Sequence, residues 1–561
     1  MPNNNCVWVP GNRMSHERLD TGYYSKEYFE AYLTLEKSEL DTAFIGDISE
    51  PWCFGAYSLC NEIMWATGTE GIPYIKAEAL GSPLINFEGL SYITRETHEL
   101  LSKSKLHPGD IIISTSGTIG KCAVIPSYLS EVNSNQDTMK FSLKNKDFDN
   151  YFIVTWIASK YGQILLKREA GGAIQQHIYL NNFRKLLLVK PLTSVQKYIG
   201  DKVRQAERLR DRSREADLEL RNKMQECFLG KPKPLQNKFS TVSTDTLTDN
   251  RLESEFYTPL VLWADEEIKG TPWSYQPLSK LTDRIKDGPG GWGVSTNDYV
   301  NYGIPVIRAT NLIDGECDLL DCIFISPKKH QDLISHEAKK GSIVLSVRGT
   351  IGRAAVFESE DYEKASLNAA VVTIDCKKDI LPHYLAEFLN TEIGKIQSNR
   401  IANGAVQLNM NLRETGSNLI VIAPMNFQEE VSSLRQQRLL LKALTQKLTT
   451  AAKLLVEALI EGNLSEADLK AAQEGLERGD TTLDREILDR LTRKGIDNPN
   501  EPPLFPDLDA LYTALASLDE TTEAVAPRNS QTAKVYDFQT PYLALASEDR
   551  ATYQVVAEVP E

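Results

Sequence analysis

The chain repeats itself once. A repeat of this length constrains the architecture more than any local pattern, because it sets a modular plan before any helix or strand is assigned. The halves match at a spacing of 232 to 233 residues. Arg18-Leu19 returns as Arg251-Leu252, Tyr24 as Tyr257, and Gly71-Ile-Pro-Tyr-Ile as Gly303-Ile-Pro-Val-Ile. The longest match has no gap: Gly109-Asp-Ile-Ile-Ile-Ser-Thr-Ser-Gly117-Thr-Ile-Gly120-Lys121 answers Gly341-Ser-Ile-Val-Leu-Ser-Val-Arg-Gly349-Thr-Ile-Gly352-Arg353. Gly172-Ala-Ile-Gln175 then answers Gly404-Ala-Val-Gln407, Pro191 answers Pro424, and Gln196 answers Gln428. The kept order argues against chance.

Each half reads alike. Ile111 to Ser114 and Ile343 to Ser346 are short apolar strands, each ending in a Gly-Thr-Ile-Gly turn before a second strand, Ala123 to Ile125 and Ala354 to Phe357. That pattern predicts a hairpin with a polar tip. Leu186 to Val189 and Leu419 to Ile422 read as closing strands, each stopped by a proline that opens a long helix. In the second long helix Leu434, Leu441, Leu448 and Leu455 fall seven apart, a coiled-coil seam; the first carries a looser stripe from Val195 to Phe228. The simplest partner for each stripe is the other helix, antiparallel, which would set the repeats at opposite ends. The alternative is that each helix packs on its own globular module. About 30 helical residues span ~45 Å, or ~13 base pairs of duplex.

Composition enters with the net charge of -15, which in bulk argues against nucleic acid. Residues 463–561 hold 20 acidic and 9 basic residues, so most of that charge is C-terminal and the first 462 residues stand at -4. From Lys160 to Glu215 the balance reverses, 13 basic against 5 acidic residues. The eight cysteines include no C-x-x-C pair and predict reduced thiols. No run approaches the ~18 apolar residues of a membrane helix, and the start, MPNNNCVWVPGNR, has no secretory pattern. We expect a cytoplasmic protein with no membrane association.

Catalytic signatures are sparse. Gly117-Thr-Ile-Gly120-Lys121 lacks the spacer and the Ser/Thr of a phosphate-binding loop, and its twin ends in Arg353. Gly288-Pro-Gly290-Gly-Trp292-Gly293 fits G-x-G-x-x-G literally, but no strong strand is read before it and no periodic helix after it. No methyltransferase box, Pro-Asp/Glu-x-Lys nuclease core, H-E-x-x-H, G-x-S-x-G or kinase set is legible. The expectation is a chain that catalyses nothing itself and binds no metal or cofactor.

What remains are polar side chains at matching loop positions. The tips carry Thr115, Ser116, Thr118 and Lys121 in the first repeat and Arg348, Thr350 and Arg353 in the second. Lys76 and Glu78 stand opposite Arg308 and Asn311, Asn135 and Gln136 opposite Asn368, and Gln175, Gln176 and His177 opposite Gln407, Asn409 and Asn411. Arg, Asn and Gln bond bidentately to guanine or adenine edges, while Lys, Ser and Thr suit phosphates. These residues can also serve as turn formers bonded to their own backbone. His177 reads as structural, and Trp292 as a stacking wedge or a buried anchor. The strands repeat while the tip residues differ, as expected if each half reads a different sequence on one scaffold.

Together the double repeat, the Gly-Ile-Pro-x-Ile segments, the Gly-Thr-Ile-Gly hairpins and the two Pro-initiated helices resemble, from about Arg18 to Gly462, the specificity subunit of type I restriction-modification systems. The resemblance implies an α+β chain with two target recognition domains of mixed β-sheet, hairpins and short helices. These would be separated by two long helices forming an antiparallel coiled coil, with a helical acidic C-terminal extension. The corresponding parts are an N-terminal segment 1–17, first recognition domain 18–191, first spacer helix 192–231, linker 232–249, second recognition domain 250–424, second spacer helix 425–462 and extension 463–561. It further implies a non-catalytic subunit in which each repeat reads half of a split, asymmetric site on double-stranded DNA. Its partners would be two adenine methyltransferase subunits using S-adenosylmethionine and restriction/translocase subunits using ATP and Mg. The extension reads as two short helices over Glu466 to Arg493, a Pro-rich turn and a helix from Asp507, either docking a methyltransferase subunit or serving as a flexible solubilising tail. A near-neutral body should bind DNA feebly until partners add positive surface. Two other readings stay open: a single-chain DNA-modifying enzyme with an unrecognised active site, and a non-DNA protein-interaction scaffold.

Overall fold

The computed structural model describes residues 21–524 apart from 54–56, 67–70, 145–146, 172–175, 235–238, 245–246, 248–253, 291–292 and 403–408, together with residues 9, 11, 14 and 554–558. The chain divides into two compact units, one of residues 1–212 with 440–546 and one of residues 213–439 with 547–561. None of the helices among the described residues is long and apolar enough to cross a membrane.

In the first unit the strand Ile111–Ser114 lies between Cys122–Val124 and Thr138–Phe141, with Trp52–Cys53 beyond, all antiparallel. Ile111 and Ile113 join one apolar core and Ile112 another, because alternate strand residues face opposite sides. Its three isoleucines are therefore covered on both faces of the sheet. A second sheet sets Ile72–Ile75 antiparallel to Ser91–Ile93 and parallel to Asn133–Ser134.

The second unit repeats the plan with longer sheets. Ile343–Ser346 lies between Ala354–Val356 and Val371–Cys376, with Ile343 and Leu345 in one core and Val344 in the other. Ile304–Ile307 runs parallel to Lys364–Leu367. The closing strands pair antiparallel with early segments of their own repeats, Leu187–Val189 with Thr42–Phe44 and Leu419–Ile422 with Ser274–Pro277.

Behind each hairpin sits a pair of short helices, Asn150–Ala158 and Lys160–Glu169 in the first repeat, Pro382–Asn390 and Glu392–Arg400 in the second. One residue ends the first helix and caps the next: Ser159 Oγ accepts from Gly162 N at 3.3 Å, and Thr391 Oγ1 from Gly394 N at 3.1 Å. A Cβ on Gly162 would lie 2.1 Å from the Trp156 carbonyl oxygen, and one on Gly394 2.4 Å from that of Phe388. The sharp corner requires glycine.

The long helices span Thr193–Gln225 and Met425–Ile460. A buried glutamine fastens the start of each. Gln196 Oε1 accepts from Asp149 N at 3.0 Å while its Nε2 donates to Asp147 O at 3.1 Å and Pro191 O at 2.9 Å. Gln428 likewise accepts from Leu381 N at 2.8 Å and donates to Asp379 O at 3.3 Å and Ala423 O at 2.8 Å. In the first unit Val195, Ile199, Val203, Ala206 and Leu209 share a core with Leu441, Leu448 and Leu455. Within the second, Ser213 Oγ donates to Arg438 O at 3.2 Å and Lys223 Nζ lies 2.7 Å from Glu430 Oε2, so there the two helices run in opposite directions.

The C-terminal segment is no loose tail as far as residue 518. Its helices Glu466–Glu477, Thr482–Asp489 and Leu508–Ala524 put Leu469, Leu488, Leu511 and Leu518 into the first unit's core, and the turn between the last two adds Leu504. Buried Asp484 accepts from Tyr198 Oη, Lys202 Nζ and Tyr512 Oη, each at 2.6 Å. The solubilising-tail reading fails here, because the apolar stripes of these helices cover the first long helix.

Candidate nucleic-acid interface

The two hairpin tips share one frame. Ser114 N donates to Lys121 O and Ser346 N to Arg353 O, both at 2.8 Å; Gly120 N donates to Ser114 O and Gly352 N to Ser346 O, both at 3.0 Å. The serine hydroxyls accept from the residue after the turn, Lys121 N at 3.0 Å and Arg353 N at 2.9 Å. Gly117 and Gly120 have φ of +70° and +86°, Gly349 and Gly352 +74° and +84°. Only glycine enters that region cheaply, which accounts for the repeated Gly-x-x-Gly spacing.

On this frame the side chains named from sequence divide into three groups. Thr118, Arg348, Thr350, Asn409 and Gln176 are exposed, as a reader of an external ligand must be. A second group is half-buried and engaged. Ser116 Oγ meets His177 Nδ1 at 2.7 Å, Lys76 Nζ sits 4.9 Å from the Trp65 ring, and Gln136 Oε1 accepts from Cys60 Sγ at 3.7 Å. Arg308 Nη2 donates to Asp321 O at 2.8 Å, Arg353 Nη1 to Leu312 O at 3.4 Å, and Asn368 Oδ1 accepts from Ala370 N at 3.0 Å. Lys121 is half-buried as well.

The third group corrects the expectation. Thr115 is buried with its hydroxyl donating to Asp137 O at 3.1 Å, and Asn135 is buried with Nδ2 donating to Asp137 Oδ2 at 3.1 Å. Asn311, 4% exposed, accepts from Arg308 N at 3.0 Å and donates to Asp318 O at 3.0 Å. These three hold turns, so the turn-former alternative applies to them. Asn411 caps the helix Leu412–Ser417. Gln175, Trp292 and Gln407 lie outside the described residues. A strand, Thr282–Asp287, does precede the Gly288 motif, against expectation, but only a short 3₁₀ turn, Thr296–Asp298, follows. A Cβ on Gly288 would lie 1.8 Å from the Asn368 carbonyl oxygen. Close packing of the backbone, not a phosphate, requires that glycine.

The basic stretch from Lys160 to Glu215 is largely neutralised in place. Lys197 lies 2.5 Å from Glu477, Lys202 2.6 Å from Asp484, Arg204 2.9 Å from Asp201, Arg210 2.8 Å from Asp211, and Lys160 3.8 Å from Glu461. Much of the counter-charge comes from residues after 456, so the segment counted as basic is not an open positive face. Positive charge gathers instead behind the second tip. Burial, and then the Arg353 and Arg221 guanidiniums, press Lys395 down to about 8. Sequence reasoning missed Tyr179, which is 58% exposed with its ring 5.0 Å from that of His177. An aromatic two residues after a lone histidine was the available signal. Among the described residues no group of three or more His, Cys, Asp or Glu could hold a metal ion.

Residues 57–219 match the family model described as the type I restriction modification DNA specificity domain. No curated protein matches the sequence. Among solved structures, the type I restriction-modification S subunit from M. genitalium is 11% identical, with 76% of this chain and 97% of that chain covered and a TM-score of 0.39. The HsdS subunit from Thermoanaerobacter tengcongensis is 15% identical, with 76% and 97% covered and a TM-score of 0.25.

Proposed function

With a type I restriction-modification DNA specificity domain over residues 57–219, we propose that the chain is the DNA-specificity subunit of such a system. Each repeat reads one half of a split, asymmetric site, and the two long helices set the spacing and dock two methyltransferase subunits. The chain is not catalytic. S-adenosylmethionine, ATP and Mg belong to the methyltransferase and restriction/translocase partners, and the assembly works in the cytoplasm. The observation that carries this reading is the pair of hairpin tips: one hydrogen-bonded frame with the same glycine angles, bearing Ser116 and Thr118 in one repeat and Arg348 and Thr350 in the other. A shared frame with changed side chains is what two readers of different sequences require.

Local neutralisation of the basic stretch supports the view that the chain alone grips phosphates weakly. Affinity then appears when partner subunits supply positive surface around the duplex. The test is mapping of methylated adenines in cells with and without the gene, beside duplex binding by the chain alone and with its partners. A split methylation motif that vanishes with the gene is the expected result. Unchanged methylation, or tight sequence-specific binding by the isolated chain at physiological salt, counts against it.

A further inference from the structure

Each hairpin tip is tied to a distant loop in the same way. Ser116 and His177 form an isolated antiparallel bridge, as do Arg348 and Asn409, and both pairs stand 61 residues apart. Backbone bonds secure the loop beside them: Ile178 N donates to Thr115 O at 3.1 Å, and Met410 N to Val347 O at 2.9 Å. Onto this common backbone each repeat adds one side-chain hydrogen bond of its own chemistry. Ser116 Oγ meets His177 Nδ1 at 2.7 Å, and Arg348 Nε donates to Asn409 Oδ1 at 3.2 Å. The contact persists while both of its partners change, and the backbone already supplies the hold.

The atoms left over decide what such a couplet can bind. Arg348 and Asn409 are exposed, and among the described residues neither the Arg348 Nη groups nor Asn409 Nδ2 has a hydrogen-bond partner. A free asparagine reads adenine with one acceptor and one donor. Here its acceptor already serves Arg348, so the couplet offers chiefly donors. Guanine, with O6 and N7 both accepting, is the base edge that fits. In the first repeat the imidazole commits Nδ1 to Ser116 and leaves Nε2 without a partner among the described residues, beside exposed Tyr179.

We propose that each tip residue and its bridged loop residue form one composite base reader, Arg348 with Asn409 taking guanine and Ser116 with His177 reading a base through the imidazole. His177 is thereby a specificity residue as well as a turn residue. This rests on the DNA-reading function proposed above.

The test is selection from a random duplex library at low salt by the full-length chain, where repeated rounds enrich even feeble binders. The wild type should return a split consensus. N409A should relax one guanine in one half by roughly tenfold and leave the other half intact, and H177A should relax one position in that other half. The double exchange S116R/H177N should install guanine preference there. Unfolding midpoints of the variants should stay near the wild-type value, and H177Q carries the same test if H177A does not fold. A split wild-type consensus that N409A and H177A leave unchanged overturns the couplet alone. The absence of any wild-type consensus, both from the chain alone and from the chain assembled with its methyltransferase subunits, overturns the DNA-reading function and the couplet with it.

Discussion

Arg438, on the second long helix, holds Nε 2.8 Å from Asp217 Oδ1 on the first. The same guanidinium donates to Asp314 O at 3.2 Å, where Arg435 also donates at 2.8 Å, and it lies 3.5 Å from Glu316. One buried cation therefore joins both helices to the Asp314-Gly315 turn, whose φ values are +51° and +74°. R438A should destabilise the second unit by about 1–3 kcal/mol, because half-buried Asp217 loses its Arg438 ion pair and keeps only Arg221 Nε, at 2.8 Å. R438M/D217L should lose markedly less. Denaturant unfolding of both variants checks the order, and equal losses would refute it.

The Asp484 cluster gives a pH dependence. Burial pushes this carboxyl up, but the Lys202 ammonium and the hydrogen bonds from Lys202, Tyr198 and Tyr512 hold it below its ordinary value. A folded value below the unfolded one stabilises above roughly pH 4, and that stability is lost as pH falls through the folded value. D484N should therefore cost most near neutral pH, with its gap to wild type closing in acid. A gap constant from pH 7 to pH 2 would exclude this cause.

Lys140 behaves in the opposite sense. Burial presses its ammonium down to about 8. The unfolded chain binds that proton up to about pH 10.4, so this residue's contribution rises as pH climbs from 8 through that range. Relative to K140M, the wild type should gain roughly 3 kcal/mol across that window. Paired unfolding titrations of the two proteins measure the difference directly.

The two glycines of the first tip should differ in sensitivity. A Cβ on Gly117 meets nothing within 4 Å, so G117A costs only the backbone strain of φ +70°, about 1–2 kcal/mol. On Gly120 the Cβ would lie 2.8 Å from Gln163 Nε2 and 3.1 Å from Leu166 Cδ1. G120A should cost more, since Gln163 must then give up its bond to Gly120 O. Equal thermal shifts for the two variants would contradict this account.

What could be read from sequence was whatever the repeat wrote twice. The strands Ile111–Ser114 and Ile343–Ser346, the glycine-bounded tips and the proline-opened helices stand where the pattern put them. The site was less legible. Thr115, Asn135 and Asn311 have the chemistry of base readers, yet turn geometry draws them inward, and nothing in residue type distinguishes the two fates. The partner of the C-terminal helices was hidden for a related reason. An apolar stripe demands cover without naming it, and Leu469 and Leu488 find theirs on a helix more than 250 residues earlier.

That shared core has a consequence for the order of events at the ribosome. The second unit has nearly all its core residues once position 439 has been made, whereas the first unit still lacks Leu441 to Leu518. At roughly 5–20 residues per second, the stretch from 212 to 518 takes roughly 15–60 s to synthesise. The half of the protein that emerges first is thus the half that finishes last, waiting with an incomplete core while its twin closes.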